Sequence, residues 1–418
     1  MTGVWTDRLD RILFIFYLIF VVSSTFSRAL SSIALGIAFL CFLVIVIATR
    51  YNPFVRSIRW FYVFAGLYLV WLLLAAVVSK NPGVSLYACR REWLFVAVPI
   101  GLYLFQNENW KSKTIRWFAI GVGILAAYAC AEYITGTDLV HFENGSWSPI
   151  HIDQISGTYF RPLTFAGFYS VAALFLLTLA ITQTGAWSRK RTAFAVVAAL
   201  ALAAVALTLS RGPVIYAGLG LVLLGFIGRR TVQWSTAALL IALVVLSISQ
   251  PGMYERYRKV YEIESVGRYE GSRHFIWKNS LEIVGRNPMF GVGNGNFWDE
   301  YHTQVGPSVA LEHVHGQAHN DLINSAAIGG IPCGLLFAGL WVAAFWYLAK
   351  GARRRDFTEA DRQICLAALV AAVVFFANSM TDSTFAAEET HELIMFIWAL
   401  GLAPWYKQKS GRNMELRA

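Results

Sequence analysis

Apolar residues run along this chain in long unbroken stretches, with polar residues gathered between them. Twelve such stretches stand at 12–27, 29–48, 58–78, 93–105, 115–134, 163–182, 192–209, 212–228, 232–249, 322–349, 362–379 and 390–405. A helix rises about 1.5 Å per residue, so about 20 apolar residues cross the roughly 30 Å of hydrocarbon in a bilayer. The pattern predicts a transmembrane helix for each stretch. The fourth is short, and the tenth is interrupted by Gly329-Gly330-Ile331-Pro332. The stretches are continuous rather than alternating with period two, which argues against an outer-membrane barrel. The first follows Arg8 and Arg11 and, with eleven more behind it, reads as an uncleaved signal anchor rather than a signal peptide.

Composition agrees. Of 418 residues, 57% are hydrophobic and only 14% charged, and the mean hydropathy is +0.52. Soluble domains carry about a quarter charged residues, so a water-soluble enzyme of two or three domains is excluded. Cysteines 41, 89, 130, 333 and 365 form no CxxC pair and predict neither a disulfide framework nor a redox site.

The net charge of +10 raises the question of nucleic acid, and the placement of the charges answers it. With both termini placed in the cytoplasm, 22 of the 35 basic residues and 7 of the 25 acidic ones fall on the cytoplasmic side. Clusters such as Arg189-Lys190-Arg191 and Arg353-Arg354-Arg355 make that side net positive, as membrane insertion requires. The basic balance is an orientation signal, and no nucleic-acid partner is expected. The expected fold is therefore an all-α polytopic membrane protein of about 12 transmembrane helices. Its expected organisation is helices 1–9 over 1–249, a large external loop over 250–321, and helices 10–12 with a cytoplasmic tail over 322–418.

Two external loops are long enough for structure of their own. The first, 135–162, contains His141, His151 and Arg161. The second carries a helical pattern at 272–284, with Phe275, Ile276, Trp277, Leu281 and Ile283 at helix-like spacing. Asn287-Pro288 stops it, and Gly291, Gly293 and Gly295 follow. These glycines are no dinucleotide fingerprint, because no strand precedes them. They let a turn pass close to another element.

Basic residues on the external side run against the orientation preference and invite a functional reading. Arg28, Lys80, Arg90, Arg91, Arg161, Arg211 and Arg273 are the informative ones. Arg211 is the sharpest, since Leu209-Ser210-Arg211-Gly212-Pro213 joins two apolar stretches with almost no loop. An arginine at the hydrocarbon boundary is costly unless paired, and its planar fork suits phosphate oxygens. The competing reading is snorkelling to the headgroups, and Arg90-Arg91-Glu92 reads equally as a salt-bridged turn. Farther on, His313, His315 and His319 stand with Glu312 and Asp321. They read either as zinc ligands or as loop histidines of which one, His319 at the re-entry to the membrane, works alone as a general base.

Three of these elements together resemble the O-antigen ligase/polymerase superfamily of bacterial envelope glycosyltransferases. They are Ser210-Arg211-Gly212 opening a helix, then Ser272-Arg273 leading through Trp277 to Asn287-Pro288 and Gly291-Val-Gly293-Asn-Gly295-Asn-Phe297, and last His319-Asn320-Asp321-Leu322 followed by Gly329-Gly330. The resemblance covers about 150–335. It implies a GT-C-like fold and an inverting, metal-independent transfer of a glycan from an undecaprenyl-pyrophosphate donor. The transfer would take place on the periplasmic face of the bacterial inner membrane, without a cofactor. It implies His319 as the catalytic residue, with Arg211 and Arg273 gripping the donor pyrophosphate. Arg161, Arg90, Arg91, Lys80 and Arg28 remain for further donor or acceptor contacts, and His313 and His315 receive no role. A ligase acting on lipid A-core is the first expectation, on the compactness of the chain. A chain-extending polymerase and a protein O-oligosaccharyltransferase share the motifs. A transporter would show repeat symmetry and charges in mid-helix, and neither is visible.

Overall fold

The computed structural model describes residues 2–54, 56–143, 146–149, 155–159, 161–182, 187–228, 230–249, 258, 273–305 and 316–406. Its α-helices in chain order are α1 (Thr2–Ser23), α2 (Arg28–Thr49), α3 (Arg59–Val78), α4 (Pro82–Cys89), α5 (Ala97–Leu104), α6 (Glu108–Thr135), α7 (Pro162–Thr182) and α8 (Arg189–Leu207). They continue with α9 (Arg211–Ile227), α10 (Arg230–Ile248), α11 (Arg273–Arg286), α12 (Phe297–Val305), α13 (Asp321–Arg353), α14 (Glu359–Ser379) and α15 (Glu388–Leu402). One antiparallel hairpin, β1 (Thr137–Glu143) with β2 (Ser146–Pro149), departs from the all-helical expectation.

Each of the twelve apolar stretches coincides with helix, but they are not equal. Among the described residues, eight helices are long and apolar enough to cross a membrane: α2, α3 with the turn before it, α6, α7, α8, α10, α13 and α14. Helix α9 has 17 residues and α15 has 15. The stretch at 93–105 divides into a 3-10 turn, Arg90–Val96, and the eight-residue α5.

Residues that are apolar on every face go to the middle. Every residue of α7 from Phe165 to Ile181 is buried, as is every residue of α15 from Thr390 to Leu402. Peripheral helices turn apolar residues outward instead: Ile33, Leu40 and Ile47 on α2, and Ile241, Val245 and Ile248 on α10, are all exposed. In water such a surface would be an aggregation liability, and in hydrocarbon it costs nothing.

Loops that the charge pattern assigns to opposite sides meet their own kind. At one end Tyr159 Oη donates to Ser24 O at 2.9 Å, and Arg28 pairs with Glu388 at 3.3 Å. At the other end Lys111 pairs with Asp361 at 2.9 Å and Ser57 Oγ donates to Trp405 O at 2.8 Å.

The glycine–proline interruption in α13 has a structural use. Pro332 has no N–H to offer Ile328 O, and Gly330, at φ 77°, breaks the helix. The backbone groups so released are taken up by the turn after α11. Gly293 N donates to Ile328 O at 2.9 Å, Val292 N to Ala327 O at 2.9 Å, and Ile331 N to Pro288 O at 2.8 Å. This close approach requires glycine. Gly291 sits at φ 62°, and a Cβ there would fall on Ala327 O; a Cβ on Gly330 would fall on Met289 O. The segment after α11 is thus stitched to the break in α13. On α11, Ile276, Ser280, Ile283 and Val284 face inward, whereas Leu281, expected on the apolar face, is 54% exposed.

Gly291→Ala and Gly330→Ala should each destabilise the protein by about 1–3 kcal/mol, the scale of a forced left-handed residue. Gly285→Ala on α11, where a Cβ would meet nothing within 4 Å, is the control. Thermal unfolding in detergent, followed by tryptophan fluorescence, should show the first two midpoints lowered and the third unchanged or raised.

Candidate functional site

Where the chain enters α13, three consecutive side chains reach the connection between α14 and α15. His319 Nδ1 lies 3.0 Å from Asp382 Oδ1. Asn320 Nδ2 donates to Met380 O at 3.0 Å, while its Oδ1 caps α13 by accepting from Ile323 N at 3.1 Å. Asp321, buried, accepts from Phe385 N at 2.8 Å and from Thr384 Oγ1 at 3.4 Å. A carboxylate only accepts, so the proton of a neutral His319 imidazole sits on Nδ1 and the lone pair on Nε2. Trp277 of α11 donates its Nε1–H to the His319 carbonyl at 3.4 Å, tying the external helix to the same point.

His319 itself is at φ 50°, and Leu209, two residues before Arg211, is at φ 54°. Left-handed backbone is uncommon for such side chains and gathers where surrounding structure enforces a geometry. At Leu209 it turns the end of α8 directly into α9, and this places Arg211 in the first turn of α9, at the positive end of the helix dipole. That turn packs on the same connection: a Cβ on Gly212 would lie 3.6 Å from Thr381 Oγ1, and Tyr216 Oη bonds Thr381 Oγ1 at 3.1 Å.

Arg273 opens α11 and is within electrostatic reach of both Asp382 and Arg211. Burial draws its guanidinium below the ordinary value, Asp382 acts against that, and Arg211 adds to it. Asp382 thus joins His319 by a hydrogen bond and Arg273 by charge. Arg211, Arg273 and His319, far apart in sequence, converge.

Of these, His319 borders a cavity of about 620 Å³, together with Asp382, Arg28, Arg91, Arg161, Tyr159, Glu388 and Glu389; Arg211 and Arg273 are not in its lining. Glu388 holds Arg28 at 3.3 Å and Arg91 at 3.5 Å, and Arg91 also donates to Ala386 O at 3.2 Å. Arg161 follows a loop fixed by the buried Glu132, which accepts from Gly157 N at 2.9 Å and Ser156 N at 3.3 Å. The other two expected contacts go elsewhere. Arg90 lies over the Tyr87 ring at 3.8 Å, outside the cavity lining, and Lys80 lines a separate cleft. His313 and His315 lie outside the described residues.

Asp382 and Glu388 were not singled out from the sequence. The available signal was a polar run, Thr381-Asp382-Ser383-Thr384, and Glu388-Glu389, wedged between two apolar stretches on the external side.

On the membrane-facing side, an apolar groove of about 410 Å³ runs between α9 and α10, lined by Val214, Ile215, Gly218, Leu240 and Leu243 among others. Val214 is three residues beyond Arg211, so an apolar channel adjoins the cationic helix start.

No curated protein matches the chain. The family model described as O-antigen ligase matches residues 196–338, from within α8 to within α13, and takes in Arg211, Arg273 and His319. Over that stretch the chain is similar to the O-antigen ligase family.

Proposed function

We propose that the protein is an O-antigen ligase, moving a preassembled glycan from undecaprenyl pyrophosphate to a sugar hydroxyl of lipid A-core. The observation that carries this reading is the His319–Asp382 pair beside two arginines, on the wall of a cavity large enough for sugars. In this reading the site faces the periplasm, both termini lie in the cytoplasm, and about 12 helices span the inner membrane in a GT-C-like arrangement. The family match over residues 196–338 supports the general chemistry, and the charge pattern supports the orientation.

Transfer with inversion asks little of the protein beyond placement and charge. The acceptor oxygen attacks the anomeric carbon as the bond from that carbon to the pyrophosphate oxygen breaks. Nε2 of His319 takes the hydroxyl proton, and its Nδ1–H stays on Asp382, which steadies the resulting imidazolium. Arg211 and Arg273, with the start of α9, meet the charge that develops on the departing pyrophosphate. Two guanidinium groups supply this charge without a metal ion, as the metal-independent reading requires. The apolar groove beside Arg211 supports a lipid-borne donor. Arg28, Arg91 and Arg161 face the remainder of the cavity, where the phosphate-rich acceptor would enter.

Deletion of the gene tests the assignment directly. Gel analysis should show lipid A-core without long chains and polymer held on the carrier. Core bearing single repeat units would identify a polymerase instead.

Arg211→Lys and Arg273→Lys should each lose about tenfold or more in transfer, since a point charge cannot replace a bidentate contact. Both variants transferring normally at wild-type protein level would defeat the pyrophosphate clamp.

His319→Ala should cost about 10²-fold, the scale of lost proton-transfer catalysis, while donor binding survives. His319→Gln keeps a hydrogen-bonding group but no base, and should be as inactive as His319→Ala. Asp382→Asn should lower turnover with little change in donor affinity. Near-normal turnover of His319→Gln in a purified assay would reject the base.

A further inference from the structure

Lys80 lies away from the cavity of the proposed transfer, at the mouth of a second cleft of about 200 Å³. Its lining carries Lys80, Asn81, Asn287, Asn296, Asp299 and Glu300. Helix α3 ends at Val78, so Lys80 stands two residues past the end of a membrane-spanning helix, at the depth of lipid headgroups. The surface around it is apolar and outward-facing. Val77 and Val78 are each 57% exposed, and Met289 and Phe290, on the turn docked against α13, are exposed as well.

Both signs of charge line this cleft, yet among the described residues no ion pair joins Lys80 to Asp299 or Glu300. The two acids also suit the first turn of α12, whose dipole favours negative charge there. That accounts for the acids alone and leaves Lys80 and the asparagines unexplained. Asn296, only 4% exposed, spends its Nδ2–H on Val292 O at 3.0 Å and leaves its Oδ1 without a partner. A cleft with a cation, two anions and amide groups, rimmed by acyl-facing side chains, is complementary to a ligand that is itself zwitterionic and carries apolar tails.

We infer that this cleft binds the headgroup of a zwitterionic phospholipid with a primary ammonium, its phosphate toward Lys80 and its ammonium toward Asp299 and Glu300. The volume suits a phosphoethanolamine group, and the tails would lie along Val77, Val78 and Phe290. A lipid bound here would brace the turn at 287–296 against the end of α3. That turn already meets this region, where a Cβ on Gly293 would lie 2.5 Å from Ser85 Oγ.

The full-length protein, delipidated in detergent, should be titrated with phosphatidylethanolamine and with phosphatidylglycerol and read by native mass spectrometry. Wild type should retain phosphatidylethanolamine about fivefold more strongly, and the Asp299→Asn/Glu300→Gln double variant should lose that preference. Lys80→Ala should weaken both lipids about fivefold, and Lys80→Arg should restore them. Equal retention of the two lipids by wild type, or a preference that survives in the double variant, would overturn the inference. So would a Lys80→Ala loss that Lys80→Arg does not recover. Free phosphoethanolamine at the same concentration should compete poorly; displacement equal to that by the lipid would mean a soluble ligand and sink the membrane source.

Discussion

The structure depends on one seam, where residues 319–321 at the start of α13 bind residues 380–385 between α14 and α15. Two of its three side chains serve purely to fix position. Asp321 satisfies backbone N–H and hydroxyl groups that burial would otherwise leave unpaired, and Asn320 caps a helix while gripping a carbonyl. Between them and the external loop stands His319, whose orientation follows from theirs. Its partner Asp382 lies in the same tightly held connection, so the imidazole is held from both sides.

A second seam ties the external segment to the same helix. The break at Gly330 releases backbone groups in the middle of α13, and the turn at 288–293 claims them. In hydrocarbon such groups cannot be left open, so the break and the turn imply each other. Arg273 and Trp277 ride on α11, just before that turn. The backbone ladder therefore sets how the external helix approaches His319.

Much of this was legible in the sequence, and the reasons differ by element. The apolar stretches announced helices because hydrocarbon permits little else. The spacing of Gly291, Gly293 and Gly295 announced a close approach, though not its partner, since nothing local connects them to Gly329-Gly330 across the intervening loop. Arg211, Arg273 and His319 stood out because each is costly or unusual where it lies. Asp382 did not, because an acid in a short external turn is ordinary until the fold brings a histidine to it. At 93–105 the apolar composition is real, but the stretch divides between the 3-10 turn Arg90–Val96 and the eight-residue α5. The strands Thr137–Glu143 and Ser146–Pro149 carried no alternation strong enough to read.

The cavity draws its walls from elements as distant in sequence as Arg28 on α2 and Glu389 on α15. Helices enter a membrane in the order of their synthesis, so the chain through the start of α15 must be made before this space exists. The closing element is α15, which brings Glu388 to Arg28 and Arg91 and is enclosed on all sides from Thr390 onward. It carries three glutamates within its first five residues, a poor sequence for entering lipid alone. Its place is prepared by the helices already assembled, where Ser31 on α2 meets Glu392 at 2.6 Å. A nascent chain that stops before α15 thus has Arg28, Arg91, Arg161 and His319 but lacks the element that closes the space between them.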